Sequence, residues 1–279
     1  MIKKTIYLFI ISFIIAFSCE KEISMNIPDK GRKIVLNSII TDNKPISVEL
    51  TKSIHILDNQ NYFNPLKGAE VILYENDIFI ETLTQSADDK YISSYLLQKG
   101  RIYTIKATYE NESVNSKTII PNSVPVVITD FKMITKEYGD YLRATIQIND
   151  PSNEPNYYML GFFTNDTNYN ELYIDDETEN PSFESYYQNY VVFSDESFNG
   201  KQHKITINVQ YNMSEINNVV YAYLKSLSYD KYMYVKTLYA HYQSGSSPFS
   251  EPVMVYNNIN NGYGIFAGYL TYMDSVIIF

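Results

Sequence analysis

The chemistry open to this chain turns on few residues, and the first is its single cysteine, Cys19. It stands directly after the small residue Ser18 and an apolar-rich run from Ile6 to Phe17, which Lys3 and Lys4 precede. That run has the length of a secretory h-region and falls well short of the roughly 20 residues that span a bilayer as a helix. Ala16-Phe17-Ser18-Cys19 has the form of a bacterial lipoprotein signal, in which the thiol becomes a diacylglyceryl thioether and Cys19 opens the mature chain. An ordinary secretory signal is the competing reading. An exported chain with one thiol has no internal disulfide to form, which favours the lipid. Each buried methylene then adds about 0.8 kcal/mol to the anchor, and more than one acyl chain is present.

Other constellations are thinner. The three histidines, His55, His203 and His241, have no His or Cys at ligand spacing, so no zinc site is expected. A serine nucleophile needs a His base held by an acid, and no Gly-x-Ser-x-Gly turn occurs. Asp175, Asp176, Glu177 and Glu179 offer oxygen ligands of the kind Ca²⁺ takes, without the glycine-turned loop that would converge them, and read as a solvated acidic loop. A pair of glycosidase carboxylates need not be close in sequence, but nothing singles out a pair and Trp, the usual sugar platform, is absent. Gly262-x-Gly264-x-x-x-Gly268 has the look of a dinucleotide loop, yet the segment after Gly268 reads as a strand where a helix N-terminus is required. Its glycines are expected to serve a tight turn and close packing at a sheet edge. Neither a metal nor a cofactor is expected.

Tyrosine is the remaining candidate. The chain holds 28 Tyr, and Tyr169, Tyr173, Tyr186, Tyr187 and Tyr190 cluster around the acidic stretch Asn165 to Asn189. Two readings stand: an amphipathic contact surface, since Tyr joins a large rigid area to one polar tip, or side chains that serve the strands. The stretch itself reads as a long, mobile excursion. With 22 basic against 32 acidic side chains, and a net charge of −10, the chain lacks the basic footprint of a nucleic-acid partner.

These residues must be carried by strands. Short alternating segments separated by turn residues begin at Lys33: Lys33 to Ile40, Ile46 to Lys52, Ala69 to Glu75, Ile78 to Leu83, Tyr91 to Leu97, Ile102 to Tyr109 and Val114 to Ile120. Asn76-Asp77 and Glu110-Asn111-Glu112 are hairpin signals, because Asn and Asp tolerate left-handed backbone. The organisation expected is a signal peptide over 1–18, a tether over 19–32, a seven-stranded immunoglobulin-like β-sandwich over 33–121 and, past Pro121 and Pro125, a second β-rich domain over 126–279. That second region is expected to hold strands at Val126 to Met133, Tyr141 to Ile148, Tyr157 to Thr164, Tyr190 to Phe193, Lys204 to Val209 and Val219 to Leu227. It also holds one amphipathic helix over about 228–244, with Ser228 as N-cap and Tyr232, Val235, Tyr239 and Tyr242 as an apolar stripe lying on a sheet.

Several of these segments also carry a likeness. Cys19-Glu20-Lys21-Glu22-Ile23, Gly68-Ala69-Glu70-Val71, Phe193-Ser194-Asp195, Phe198-Asn199-Gly200-Lys201 and the closing block from Pro248 through Asn257-Asn258 to Tyr269 resemble a Bacteroidota lipoprotein family known only as a domain of unknown function. The resemblance implies an outer-membrane lipoprotein with an N-terminal sandwich similar to transthyretin-like or carboxypeptidase-regulatory-like domains. It also implies a gene beside a TonB-dependent receptor. Lys21-Glu22 resembles the signal that sends such lipoproteins to the cell surface, and no catalytic residue is implied. The function expected is therefore non-enzymatic: a cell-envelope lipoprotein, bound to the membrane through lipid and accessory to a TonB-dependent receptor in nutrient uptake or envelope assembly. The alternative is a surface hydrolase acting on glycan or peptide.

Overall fold

A computed structural model of the chain describes residues 31–278 apart from 56–57, 59–62, 138, 153, 165–169, 176–181, 212–218 and 246–249. The expected signal peptide, Cys19 and nearly all of the tether lie outside the described residues. The protein is mainly β, with a single long helix among the described residues.

The first eight strands are β1 (Ile34–Ile40), β2 (Pro45–Lys52), β3 (Glu70–Glu75), β4 (Ile78–Thr82), β5 (Thr84–Gln85), β6 (Tyr91–Leu96), β7 (Ile102–Tyr109) and β8 (Glu112–Ile119). Burial alternates along β1 and β2, so Ile34, Leu36, Ile40, Ile46, Val48 and Leu50 point one way. They meet Val71, Leu73, Tyr103, Ile105 and Ala107 of the sheet ordered β4-β3-β7-β8 in one apolar core. Asn76 and Asp77 take φ of +50° and +65°, the left-handed pair that a two-residue hairpin requires, and Glu110 takes +53° between β7 and β8.

The chain then builds β9 (Val126–Lys136), β10 (Gly139–Asn149), β11 (Tyr157–Thr164), β12 (Asn170–Glu171), β13 (Ser185–Tyr186), β14 (Tyr190–Ser194), β15 (Gln202–Gln210), β16 (Val219–Leu227), helix α1 (Tyr229–Ser244) and β17 (Tyr263–Ile277). A three-stranded sheet ordered β15-β10-β9 faces β14, β11 and β16 across a second core that includes Leu142, Ile146, Tyr158, Phe162, Phe193 and Leu224. The chain passes from the first core to the second between Ile120 and Val124.

The closing strand joins the two halves. Tyr263 to Gly268 of β17 run parallel to Val35 to Ile40 of β1, and Tyr269 to Ile277 run antiparallel to β16. One ten-stranded sheet therefore continues from β13 to β5, and Ile259 and Phe266 complete the first core from the far end of the sequence. Gly262 stands in the turn that leads into β17, whereas Gly264 and Gly268 lie inside this sheet and not at an edge as expected. A Cβ on Gly264, at φ +117°, would sit 2.1 Å from the carbonyl oxygen of Leu36, and one on Gly268 would sit 2.1 Å from that of Ile119. Side-chain-free backbone lets β17 pass between β1 and β8 at that distance. Asn258 holds the strand by its amide, which donates to Phe266 O at 2.7 Å and accepts from Phe266 N at 2.9 Å.

Ser228 caps α1 by accepting from the Lys231 amide, and Tyr232 and Val235 bury against the sheet. Tyr239 is half-buried and Tyr242, at the end of the expected stripe, is 68% exposed. No helix among the described residues is long and apolar enough to cross a membrane.

Candidate binding groove

The face of the large sheet turned away from the second core is built by alternate residues of three strands. Register places Gly161 of β11, Tyr223 of β16 and Met273 of β17 in one row, and Met159, Lys225 and Thr271 in the next. Gly161 makes room for Tyr223: an added Cβ would lie 2.3 Å from the Tyr223 hydroxyl. The Tyr223 ring is thus laid over β11 and only 4% exposed, and its hydroxyl has no hydrogen-bond partner among the described residues. Phe163 stacks on Tyr221 at 5.0 Å. Helix α1 covers the other end of this face, where Tyr232 stacks on Tyr157 at 4.5 Å.

Beside the helix the face stays open as a concavity of about 530 Å³, walled by Phe163, Tyr173, Tyr223, Tyr269 and Met273, with Glu171, Asn189, Lys225 and Thr271 as its polar groups. The Lys225 ammonium lies 4.7 Å from the Tyr223 ring centre and 5.7 Å from that of Tyr269, a cation between two π faces. Among the described residues it forms no ion pair. Burial holds its pKa below the ordinary lysine value, with the Glu171 carboxylate pulling the other way. That carboxylate accepts from the Asn189 amide.

A second concavity, of about 390 Å³, adjoins Tyr141, Tyr173, Asp175, Tyr187, Gln188 and Gln210. Asp175 is buried, paired with Lys136 and bonded by the Asn208 amide, and Lys136 also lies 5.3 Å over the Tyr141 ring. The expected solvated acidic loop is therefore corrected at this residue: the chain carries Asp175 inward because Ile174 bridges to Val209 of β15. Asp176, Glu177 and Glu179 lie outside the described residues.

The excursion Asn165 to Asn189 is likewise tied down wherever it is described. Phe183 packs against the second core. Glu184 accepts from the Ser194 amide at 3.0 Å and hydroxyl at 2.6 Å, from Tyr232 and from Lys236. Burial alone would raise its pKa, but these bonds outweigh it and hold the carboxyl below its ordinary value.

The five candidate tyrosines part company. Tyr169 lies outside the described residues, and of Tyr186 only the backbone is described, paired with Val191. Tyr187 and Tyr190 stack at 4.4 Å, and the Tyr187 hydroxyl donates to Val235 O at 2.7 Å, so both brace α1 against the sheet. Tyr173, 55% exposed, borders both concavities. Sequence reasoning missed Lys225, although a signal was present: it is the lone charge in Val219–Leu227, a strand otherwise apolar or aromatic apart from Ser226.

His203 stacks on Phe198 at 4.1 Å and contacts Ser182, while the His241 ring meets the Val253 carbonyl at 2.8 Å. No group of three or more metal-ligating side chains occurs among the described residues.

Fold and site together define a mainly β protein with a tyrosine-walled groove on the outer face of its largest sheet. The chain belongs to the family described as Domain of unknown function (DUF4249), whose model matches residues 20–274. No curated protein matches it. Among solved structures it is similar to a Salmonella alpha-2-macroglobulin mutant, Y1175G, at 10% identity and a TM-score of 0.26, covering 74% of this chain and 14% of that one. It is also similar to trypsin-activated alpha-2-macroglobulin from Escherichia coli, at 10% identity and a TM-score of 0.24, covering 91% and 18%. The chain thus spans less than a fifth of either protein, and likeness at this level carries nothing about function.

Proposed function

We propose that this protein is a non-enzymatic lipoprotein of the outer membrane, anchored through Cys19, that acts by binding as the accessory of a TonB-dependent receptor in nutrient uptake or envelope assembly. The observation that carries the binding reading is Tyr173, an exposed ring set between two concavities walled by tyrosine and amide side chains. Rigid aromatic area with a polar tip is the composition of recognition surfaces, and truncation of a central anchor costs on the order of 2 kcal/mol or more. The anchor and the receptor rest on the run ending at Cys19 and on the family resemblance. A glycan or peptide hydrolase working through two carboxylates needs them to face each other across a cavity. Among the described residues the larger concavity offers Glu171 alone and the smaller Asp175 alone, already paired with Lys136.

The test is purification of the native full chain from membranes, with identification of what accompanies it. Cys19→Ala is expected to release the protein to the soluble fraction, and Tyr173→Ala to reduce recovery of the envelope partner at unchanged thermal stability. Membrane retention of Cys19→Ala would overturn the anchor, and undiminished partner recovery with Tyr173→Ala would overturn the groove as the contact.

A further inference from the structure

The larger concavity holds an electrostatic imbalance that packing does not explain. Lys225 on β16, which lines it, and Lys231 in the first turn of α1, which stands outside the lining, are both half-buried, and neither forms an ion pair among the described residues. Lys225 leans on the rings of Tyr223 and Tyr269, and Lys231 lies 5.6 Å over the ring of Tyr234. The two ammonium groups are close enough to oppose each other: burial first and the Lys225 charge second hold the Lys231 pKa below the ordinary lysine value. A protein with net charge −10 has acids to spare for neutralising both, yet the single carboxylate of this concavity, Glu171, attracts Lys225 without forming an ion pair with it and accepts instead from the Asn189 amide. Desolvating two like charges with one carboxylate nearby and no ion pair opposes folding, so a lysine kept there calls for a second anion that arrives from outside.

We propose that the concavity above β16 binds a small ligand bearing a single carboxylate, held at the Lys225 ammonium with its body against the rings of Tyr173 and Tyr269. Lys231, outside the lining but near enough to act on Lys225, adds positive potential. The volume of about 530 Å³ lies in the ordinary range of ligand pockets. Its walls suit a flat ring or an apolar side chain, and Asn189 and Thr271 offer hydrogen bonds to polar groups on that body. A polyanion is disfavoured, because Glu171 and the negative charge of the whole chain repel further charge. The carboxylate has two natural sources, an acidic sugar or an acylated amino acid, and the chemistry shared by both is a ring or apolar body with one acid. This reading goes beyond the partner contact proposed above and stands whether or not a receptor is engaged.

The test is a set of saturation-transfer NMR titrations on the purified full chain with N-acetylphenylalanine, its uncharged amide, galacturonate and galactose. At least one of the two acids is expected to bind, and its neutral counterpart to bind at least about tenfold more weakly, the scale of one charge-assisted hydrogen bond. Binding of galacturonate alone assigns the source as sugar acid; binding of N-acetylphenylalanine alone assigns it as acyl amino acid. Lys225→Met, which keeps the aliphatic stem, should lose the preference for the acid, Lys225→Arg should keep it, and Lys231→Gln should weaken binding by only a few-fold. Thermal melts keep the outcomes distinct: Lys225→Met removes a desolvated charge and should melt no lower than the wild type. The proposal is overturned if neither acid binds, if acid and neutral counterpart bind alike to the wild type, or if Lys225→Met retains the preference. The wild-type comparison of acid with neutral form decides the matter even if a variant fails to fold.

Discussion

Gly268 is where the two halves of this protein are locked, and its replacement by alanine tests that claim. The residue is buried at the point where β17 stops pairing with β1 and starts pairing with β16. A Cβ there would stand 2.1 Å from the Ile119 oxygen, 2.9 Å from the Ile119 carbonyl carbon and 3.2 Å from the Ile120 Cα. Real Cβ contacts essentially never fall below 3.0 Å, so the strands must part by about 1 Å. All three obstacles are backbone, and none can rotate aside. Overpacking of this kind costs about 1–3 kcal/mol. The movement also strains two bonds to the helix cap, Gly268 N–H to Ser228 Oγ at 3.1 Å and Ser228 N–H to Gly268 O at 2.9 Å. Each is worth about 1 kcal/mol, so Gly268→Ala is expected to destabilise the fold by about 3–5 kcal/mol. The assay is equilibrium unfolding in urea, read as a lower midpoint at an unchanged slope. Gly245→Ala is the control: that glycine has helical φ of −68°, its nearest neighbours would lie 3.6 Å or more from a Cβ, and the change should be neutral or slightly stabilising. A Gly268→Ala protein within about 1 kcal/mol of the wild type would refute the reasoning, since overpacking and the two strained bonds together come to about 3 kcal/mol or more.

Two further outcomes rest on the groove and its supports. Gly161→Ala collides with a side chain rather than backbone, 2.3 Å from the Tyr223 hydroxyl; it should cost about 1–3 kcal/mol alone, and much less when combined with Tyr223→Leu, which removes the obstacle, so additive costs in the double-mutant cycle would count against this packing. Glu184 is held below its ordinary pKa of 4.5, so its contribution is complete above that value and is lost as pH falls through the lower, folded-state pKa; urea midpoints from pH 7 down to 3 should fall less steeply for Glu184→Gln than for the wild type, and parallel acid limbs would show that the carboxylate is not held in this way.

What the chain determines locally could be read from its residues. Alternation along Ile34–Ile40, the left-handed tolerance of Asn76 and Asp77, and the hydroxyl of Ser228 before an acidic first turn each act within a few residues, and each produces the expected strand, turn or cap. The groove was legible only at Tyr173, because exposure of a ring within an acidic, Tyr-rich stretch is a local tendency. Strand pairing is of another kind. The backbone bonds that join β17 to β1 are chemically the same for any partner, so nothing near Ile265 says that it will lie beside Asn37. That pairing alone carries Gly264 and Gly268 into the middle of a sheet. Tertiary contact likewise decided the burial of Asp175, whose partners Lys136 and Asn208 stand 39 and 33 residues away. It decided as well that Tyr187 and Tyr190 brace a helix. Lys225 was visible as a charge in a largely apolar strand, but its setting between Tyr223 and Tyr269, with no ion pair among the described residues, arises only when β16 and β17 meet in register. Charges and rings acquire a function from what is brought within a few ångströms of them, and in a sheet of distant strands that is settled by the fold.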